Sequence, residues 1–226
     1  MVGSGTLITF PVLLAFGYSP VTANVTNSLG LVPGSAAGAY GYRGELAGQW
    51  RRTGRLAVAS ALGAVVGAVL LLELPASAFE RIVPAFILIA LVLVVFQPRI
   101  AARLPERRAV AGPALLAGVF ATGVYGGYFG AAQGIMLLAL LGLGLGEGLQ
   151  RANAVKNVLA GLVNLVAAVV FVFVASVAWD AAALIALGAG AGGVVGARVG
   201  RRLPPGVLRG VIVVVGVSAI AQLLLR

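Results

Sequence analysis

The 226-residue chain contains no cysteine and no histidine. Disulfides, thiolate nucleophiles and imidazole chemistry are thereby excluded, and most metal sites with them. Acidic residues are scarce, 6 against 16 Lys and Arg, and charged residues together make up only 10%. Soluble domains carry about a quarter. With 61% hydrophobic residues and a mean hydropathy of +1.08, this shortage argues against a soluble enzyme, a disordered tail or a nucleic-acid module. No basic leader precedes Gly3-Ser4-Gly5, so no cleavable signal peptide is expected.

Apolar segments take the place of these features, at about 5–17, 20–41, 55–74, 79–96, 112–129, 134–146, 151–175, 181–198 and 206–225. The expected fold class is all-α, a polytopic integral membrane protein. Segments 5–17 and 134–146 fall short of the ~20 residues a span needs, and each follows a glycine cluster. They read as short or broken helices near the midplane, tolerated where they are buried in protein or line a cavity. Pro33-Gly34 should kink or interrupt 20–41. Trp50 and Trp179 belong to the interfacial aromatic belt.

The arginines fall between these segments. One set of loops holds Arg43, Arg51, Arg52, Arg55, Arg99, Arg103, Arg107, Arg108, Arg151, Arg198, Arg201, Arg202 and Arg209; the other holds Arg81 and Arg226. The basic loops should face the cytoplasm of a cell (inner) membrane crossed several times. Anionic lipid heads, rather than nucleic acid, are the partner this charge implies.

The chain also repeats itself. Shifted by 129 residues, Gly63-Ala64-Val65-Val66-Gly67-Ala68 falls on Gly192-Gly193-Val194-Val195-Gly196-Ala197, Leu74-Pro75 on Leu203-Pro204, and Gly5 on Gly134. One further residue of shift sets Thr26-Asn27 on Lys156-Asn157. Glu73 and Glu80 correspond to Arg202 and Arg209, so the charge bias changes sign between halves. Two inverted-topology repeats follow, 1–104 with about four segments and 105–226 with about five, together forming one transmembrane unit. An inverted pair needs an odd number of crossings per half, so repeat one is expected to lack its first helix, either because Met1 lies downstream of the true start or because the chain is a natural truncation. Gly188, Gly192, Gly196 and Gly200 line one helix face, as do Gly63 and Gly67. Internal helix packing is the favoured use of these faces, and a homodimer interface is the competing one.

Lys156 is the only lysine, five residues into an apolar segment. A cation at that depth costs ~2.5–3.5 kcal/mol and is rarely without a role; the competing reading is snorkelling toward the nearby edge. Asn153, Asn157 and Asn164 extend a polar stripe from it. No carboxylate shares the stretch, since Glu147 and Asp180 read as loop residues. Such a cation suits a small anionic substrate. The expected binding set is Lys156, Asn157, Asn153, Thr26, Asn27, Asn24 and Gln133, with helix N-termini at Gly5 and Gly134 adding partial positive charge. Tyr125 and Tyr128 flank the second glycine cluster. Neither glycine cluster is a phosphate loop, because no Gly-Lys-Ser/Thr follows. No cofactor and no metal is called for. Paired carboxylates or an activated nucleophile are lacking, so the reading is not an enzyme.

Ala23-Asn24-Val25-Thr26-Asn27 and Arg151-Ala152-Asn153-Ala154-Val155-Lys156-Asn157 each follow a glycine-led short helix. This duplicated arrangement, with the opening Gly3-Ser4-Gly5-Thr6-Leu7-Ile8-Thr9-Phe10-Pro11, resembles the sulfite exporter TauE/SafE family over nearly the whole chain. The cluster Gly127-Tyr128-Phe129-Gly130-Ala131-Ala132-Gln133-Gly134 is less glycine-rich than the family's pattern. The resemblance implies a membrane permease for sulfite or a sulfur-containing organic anion, working by alternating access. An anion channel is the alternative.

Overall fold

A computed structural model of the chain describes residues 5–102, 112–145 and 148–199, with isolated positions between 210 and 221. Gly3, Ser4, Glu147, Gly200, Leu203-Pro204, most of segment 206–225 and the arginines at 103, 107, 108, 201, 202, 209 and 226 lie outside the described residues, as does the surface of Gly196.

All regular structure among the described residues is helical. The elements are α1 (Thr6–Ala15), α2 (Pro20–Gly30), α3 (Val32–Gly41), a 3-10 turn (Arg43–Leu46), α4 (Trp50–Glu73), α5 (Ala76–Ala102), α6 (Gly112–Tyr128), α7 (Gln133–Leu145), α8 (Leu149–Val174) and α9 (Trp179–Val199). Trp50–Glu73, Ala76–Phe96 and Gln150–Val174 are long and apolar enough to cross a membrane by length and composition. Thr6–Ala15 and Gln133–Leu145 are short apolar helices, as their sequences suggested.

Local chemistry sets the boundaries. The Ser19 side chain accepts from the Thr22 N–H at 3.3 Å, and Pro20 sits in the first turn, where its missing N–H is harmless. The segment read as one helix over 20–41 divides at Leu31, two residues before Pro33. The Ser35 N–H resumes the ladder on the Leu31 carbonyl at 3.0 Å. Helix α4 begins at Trp50, ahead of the expected 55, and carries Arg51, Arg52 and Arg55 in its first turns. Both tryptophans open helices, at α4 and α9, and both are exposed, at 60% and 59%.

Two apolar clusters fill the interior. One gathers α1, α2, α5 and the α6–α7 link, with Phe10, Phe79 and Phe129 in edge-to-face contact at 5.1–6.5 Å. The other joins Leu56, Leu115, Val119, Leu137 and Leu141 to Val155 and Leu159 of α8.

Glycines bring the backbones together. A Cβ on Gly63 or Gly67 would collide with the Phe120 or Val124 carbonyl of α6, and one on Gly34 would lie 2.9 Å from the Ala189 carbonyl of α9. Gly188 and Gly192 have nothing within 4 Å among the described residues. The 129-residue offset recurs in the helix starts, Pro20 with Leu149 and Trp50 with Trp179. Segments at that offset also meet. Ser35 touches Asn164 and Gly161, while Gly38 approaches Asn157. Rising numbers on one side match falling numbers on the other, so α3 and the middle of α8 run antiparallel.

Candidate functional site

Helix α8 holds the central residue. Gly148 precedes it in extended conformation (φ −60°, ψ 151°), and 26 residues follow without a proline. At about 100° per residue, Asn153, Asn157 and Asn164 fall within about 40° of one another, with Lys156 about 60° to one side. The three asparagines are partly exposed, whereas Lys156 is 2% exposed. The whole side chain is therefore enclosed by the protein, among buried neighbours such as Val155 and Leu159. Among the described residues it is the one charged side chain in the buried class, and Asp180, Glu73 and Glu80 are exposed.

Helix α2 carries the amides of the first half, and each reaches a different neighbour. The Asn27 amide donates to Thr6 Oγ1 at 3.2 Å, and Thr9 Oγ1 donates to Asn27 Oδ1, tying α2 to the first turns of α1. Asn24 Nδ2 donates to the Tyr128 carbonyl at 2.9 Å, while Asn24 Oδ1 is buried without a partner. Thr26 Oγ1 accepts from the Ala178 N–H at 3.1 Å, just ahead of α9. The sequence reading placed Thr26 toward the substrate. In the structure its oxygen also serves a helix start, and its O–H is still there to give.

The α6–α7 link turns sharply through Gly130 (φ 75°) and Ala132 (φ 56°). A non-glycine residue in that region stores on the order of 1–3 kcal/mol. Tyr125 Oη donates to the Ala131 carbonyl at 2.6 Å and braces the turn. Gln133 and Gly134 then open α7, both buried. The Gln133 amide lies against Gly126, where a Cβ would collide with it, and its Nε2 has no partner, nor does the buried Tyr128 hydroxyl. Gly5 caps α1 without a side-chain bond, and its carbonyl accepts from the Ile8 and Thr9 N–H groups, each at 3.0 Å.

A second polar contact lies where α3 meets α8. Asn164 Nδ2 donates to Ser35 Oγ at 3.3 Å, and Asn157 Nδ2 is buried without a partner. Sequence reasoning named Asn157 but missed Ser35 and Gly38. Their 129-residue relation to Asn164 and Ala167 was the available signal.

The structure thus joins Asn27 to α1, Asn24 to the link that presents Gln133, and Asn164 to α3, with Lys156 buried in the same stretch of α8 as Asn153 and Asn157. A buried cation on α8, with buried amide atoms lacking partners on α2, α7 and α8, stands inside an apolar helical bundle, where such groups are rare and mark functional positions. The comparisons agree. A profile of the sulfite exporter TauE/SafE family matches residues 1–223. The chain belongs to the sulfite exporter TauE/SafE family. Its relatives in this family include a probable membrane transporter protein, ORF9, of Sinorhizobium sp, 31% identical over 225 residues, 98% of this chain and 85% of the relative. The probable membrane transporter YfcA of Escherichia coli K12 is 28% identical, covering 98% and 82%. A probable membrane transporter protein of Haemophilus influenzae is 28% identical, covering 89% and 77%. No solved structure matches. This TauE/SafE chain is a membrane protein of the transporter class, all-helical as its sequence indicated.

Proposed function

We propose that the protein moves a small anion, sulfite or a sulfur-containing organic anion, across the cytoplasmic membrane by alternating access. The observation that carries this reading is Lys156, an enclosed cation in the longest of the three candidate spans, beside partly exposed asparagines. Holding a charge there is costly, and a bound anion offsets the cost each time it occupies the site. Lys156 attracts the anion, and Asn153 and Asn157 orient its oxygens. Asn24, Asn27 and Gln133 line the path, Thr26 contributes its O–H, and the helix starts at Gly5 and Gly134 add positive field.

The antiparallel run of α3 and the middle of α8, which brings together positions 129 apart, supports an inverted repeat and rocking about a midplane site. The basic face supports the orientation. Arg151 Nη2 donates to the Ala47 carbonyl at 3.1 Å, gathering Arg43, Arg51, Arg52, Arg55 and Arg151 at one end, which we assign to the cytoplasm. Gly63 and Gly67 are taken up by α6, so a homodimer would use the Gly188 and Gly192 face.

The test is flux in proteoliposomes. Lys156→Ala should abolish uptake of the transported anion while insertion stays intact, and wild-type flux in that variant would remove Lys156 from the site.

A further inference from the structure

A contact between residues 129 apart maps onto itself when the two halves exchange. The Ser35–Asn164 hydrogen bond is such a contact, so it lies on the local two-fold axis that relates α3 to the second half of α8. Transport sites of inverted repeats lie at the interface of the halves. The neighbourhood of this bond therefore has a functional reading that neither residue's type would suggest.

The two sides of the axis are not equivalent. On one side Asn157 approaches Gly38, whose absent side chain leaves a gap; a Cβ there would lie 3.8 Å from Asn157 Cγ and Nδ2, in ordinary contact. Asn157 Nδ2 has no partner, and Asn157, Gly38, Ser35 and Gly161 are all partly exposed. At the same offset, Asn157 corresponds to Ser28 and Gly38 to Ala167. There Ser28 turns its hydroxyl back to the Asn24 carbonyl at 2.9 Å and is 5% exposed, and Ala167 is 1% exposed. One half has closed the position; the other keeps an open gap with an unspent donor. Ser35 Oγ, accepting from Asn164, still has its O–H to give. Two neutral donors thus stand about one helical turn apart along the same seam, beside the bare backbone of Gly38, with no carboxylate among the residues that meet there.

The geometry points to an oxyanion subsite in the α3–α8 seam, formed by the Asn157 amide and the Ser35 hydroxyl, with Gly38 setting the size of the group admitted. It deepens the proposed function and rests on that reading for the identity of the guest, a sulfonate or related oxyanion.

The native chain has no cysteine, so a single introduced thiol reports alone. Gly38→Cys in proteoliposomes is treated with two thiosulfonate reagents of matched size, one bearing an ethylsulfonate and one an ethyltrimethylammonium. The anionic reagent should react at least about 10-fold faster than the cationic one, ethanesulfonate should slow it several-fold, and Asn157→Leu in the same background should remove the preference. Gly161→Cys, across the seam from Ser35, carries the same test should Gly38→Cys fold poorly, and Gly188→Cys, on the open face of α9, should show no preference. Equal rates for both reagents, lack of protection, or a thiol inert to both would overturn the proposal. The outcome is separable from that for Lys156. Protection at Cys-substituted Gly38 with full flux in Lys156→Ala would retain the seam and discard the lysine, whereas abolished flux with an unprotected thiol would do the reverse.

Discussion

Two glycines that the sequence repeat makes equivalent should respond oppositely to the same substitution. Gly63 and Gly192 occupy the same place in their motifs. A methyl on Gly63 meets the Phe120 carbonyl, with the Val124 nitrogen at 2.9 Å and the Gly123 carbonyl carbon at 3.1 Å, against an ordinary contact of 3.4–4 Å. All three atoms are backbone, so no rotamer change relieves the clash, and α4 and α6 must separate. Overpacking of this kind costs about 1–3 kcal/mol. At about 2–4 °C per kcal/mol for a chain of this size, Gly63→Ala should lower Tm by about 2–12 °C. Gly192→Ala meets nothing within 4 Å among the described residues and should gain up to about 1 kcal/mol from better helix propensity. Thermal unfolding of the purified protein in detergent, followed by helical circular dichroism, separates the two. Equal shifts, or a loss confined to Gly192→Ala, would refute the reasoning from backbone contact.

Thr26→Val keeps the shape but strands the Ala178 N–H, which should cost about 1–3 kcal/mol; an unchanged Tm would show that this bond does not hold the start of α9. Gly126→Ala pushes the Gln133 amide off its seat, so anion flux should fall well before helix content does, and a variant with full flux would place Gln133 outside the pathway.

Hydropathy alone located the spans, because apolar runs of this length, repeated along a chain with so little charge, are stable only where lipid surrounds them. Its boundary errors have a physical cause. Arg51, Arg52 and Arg55 end the apolar run without ending the helix, since charged residues are comfortable where α4 leaves the hydrocarbon. The break between α2 and α3 was legible because Pro33 has no N–H for the ladder. Lys156 was legible as a lone cation, and its burial follows from the apolar residues around it. The bond of Thr26 to the start of α9 was not legible, because its partner, Ala178, lies 152 positions away and leaves no local trace. Ser35 and Gly38 were missed because a serine and a glycine among alanines carry no signal until α8 is laid against them. The starts of α2 and α8, and those of α4 and α9, lie 129 residues apart, and at that offset Asn27 pairs with Lys156 and Asn24 with Asn153. One half thus carries a neutral amide where the other carries the charge.

The central claim, that the enclosed ammonium of Lys156 holds the travelling anion, is tested most directly by counterflow in proteoliposomes. Sulfite, thiosulfate and sulfoacetate are presented to the wild type, Lys156→Met and Lys156→Arg. The wild type should show saturable counterflow of at least one of them. Lys156→Met, which keeps the length and loses the charge, should show none, and Lys156→Arg should keep a fraction. Wild-type counterflow through Lys156→Met, at equal insertion, would contradict the account.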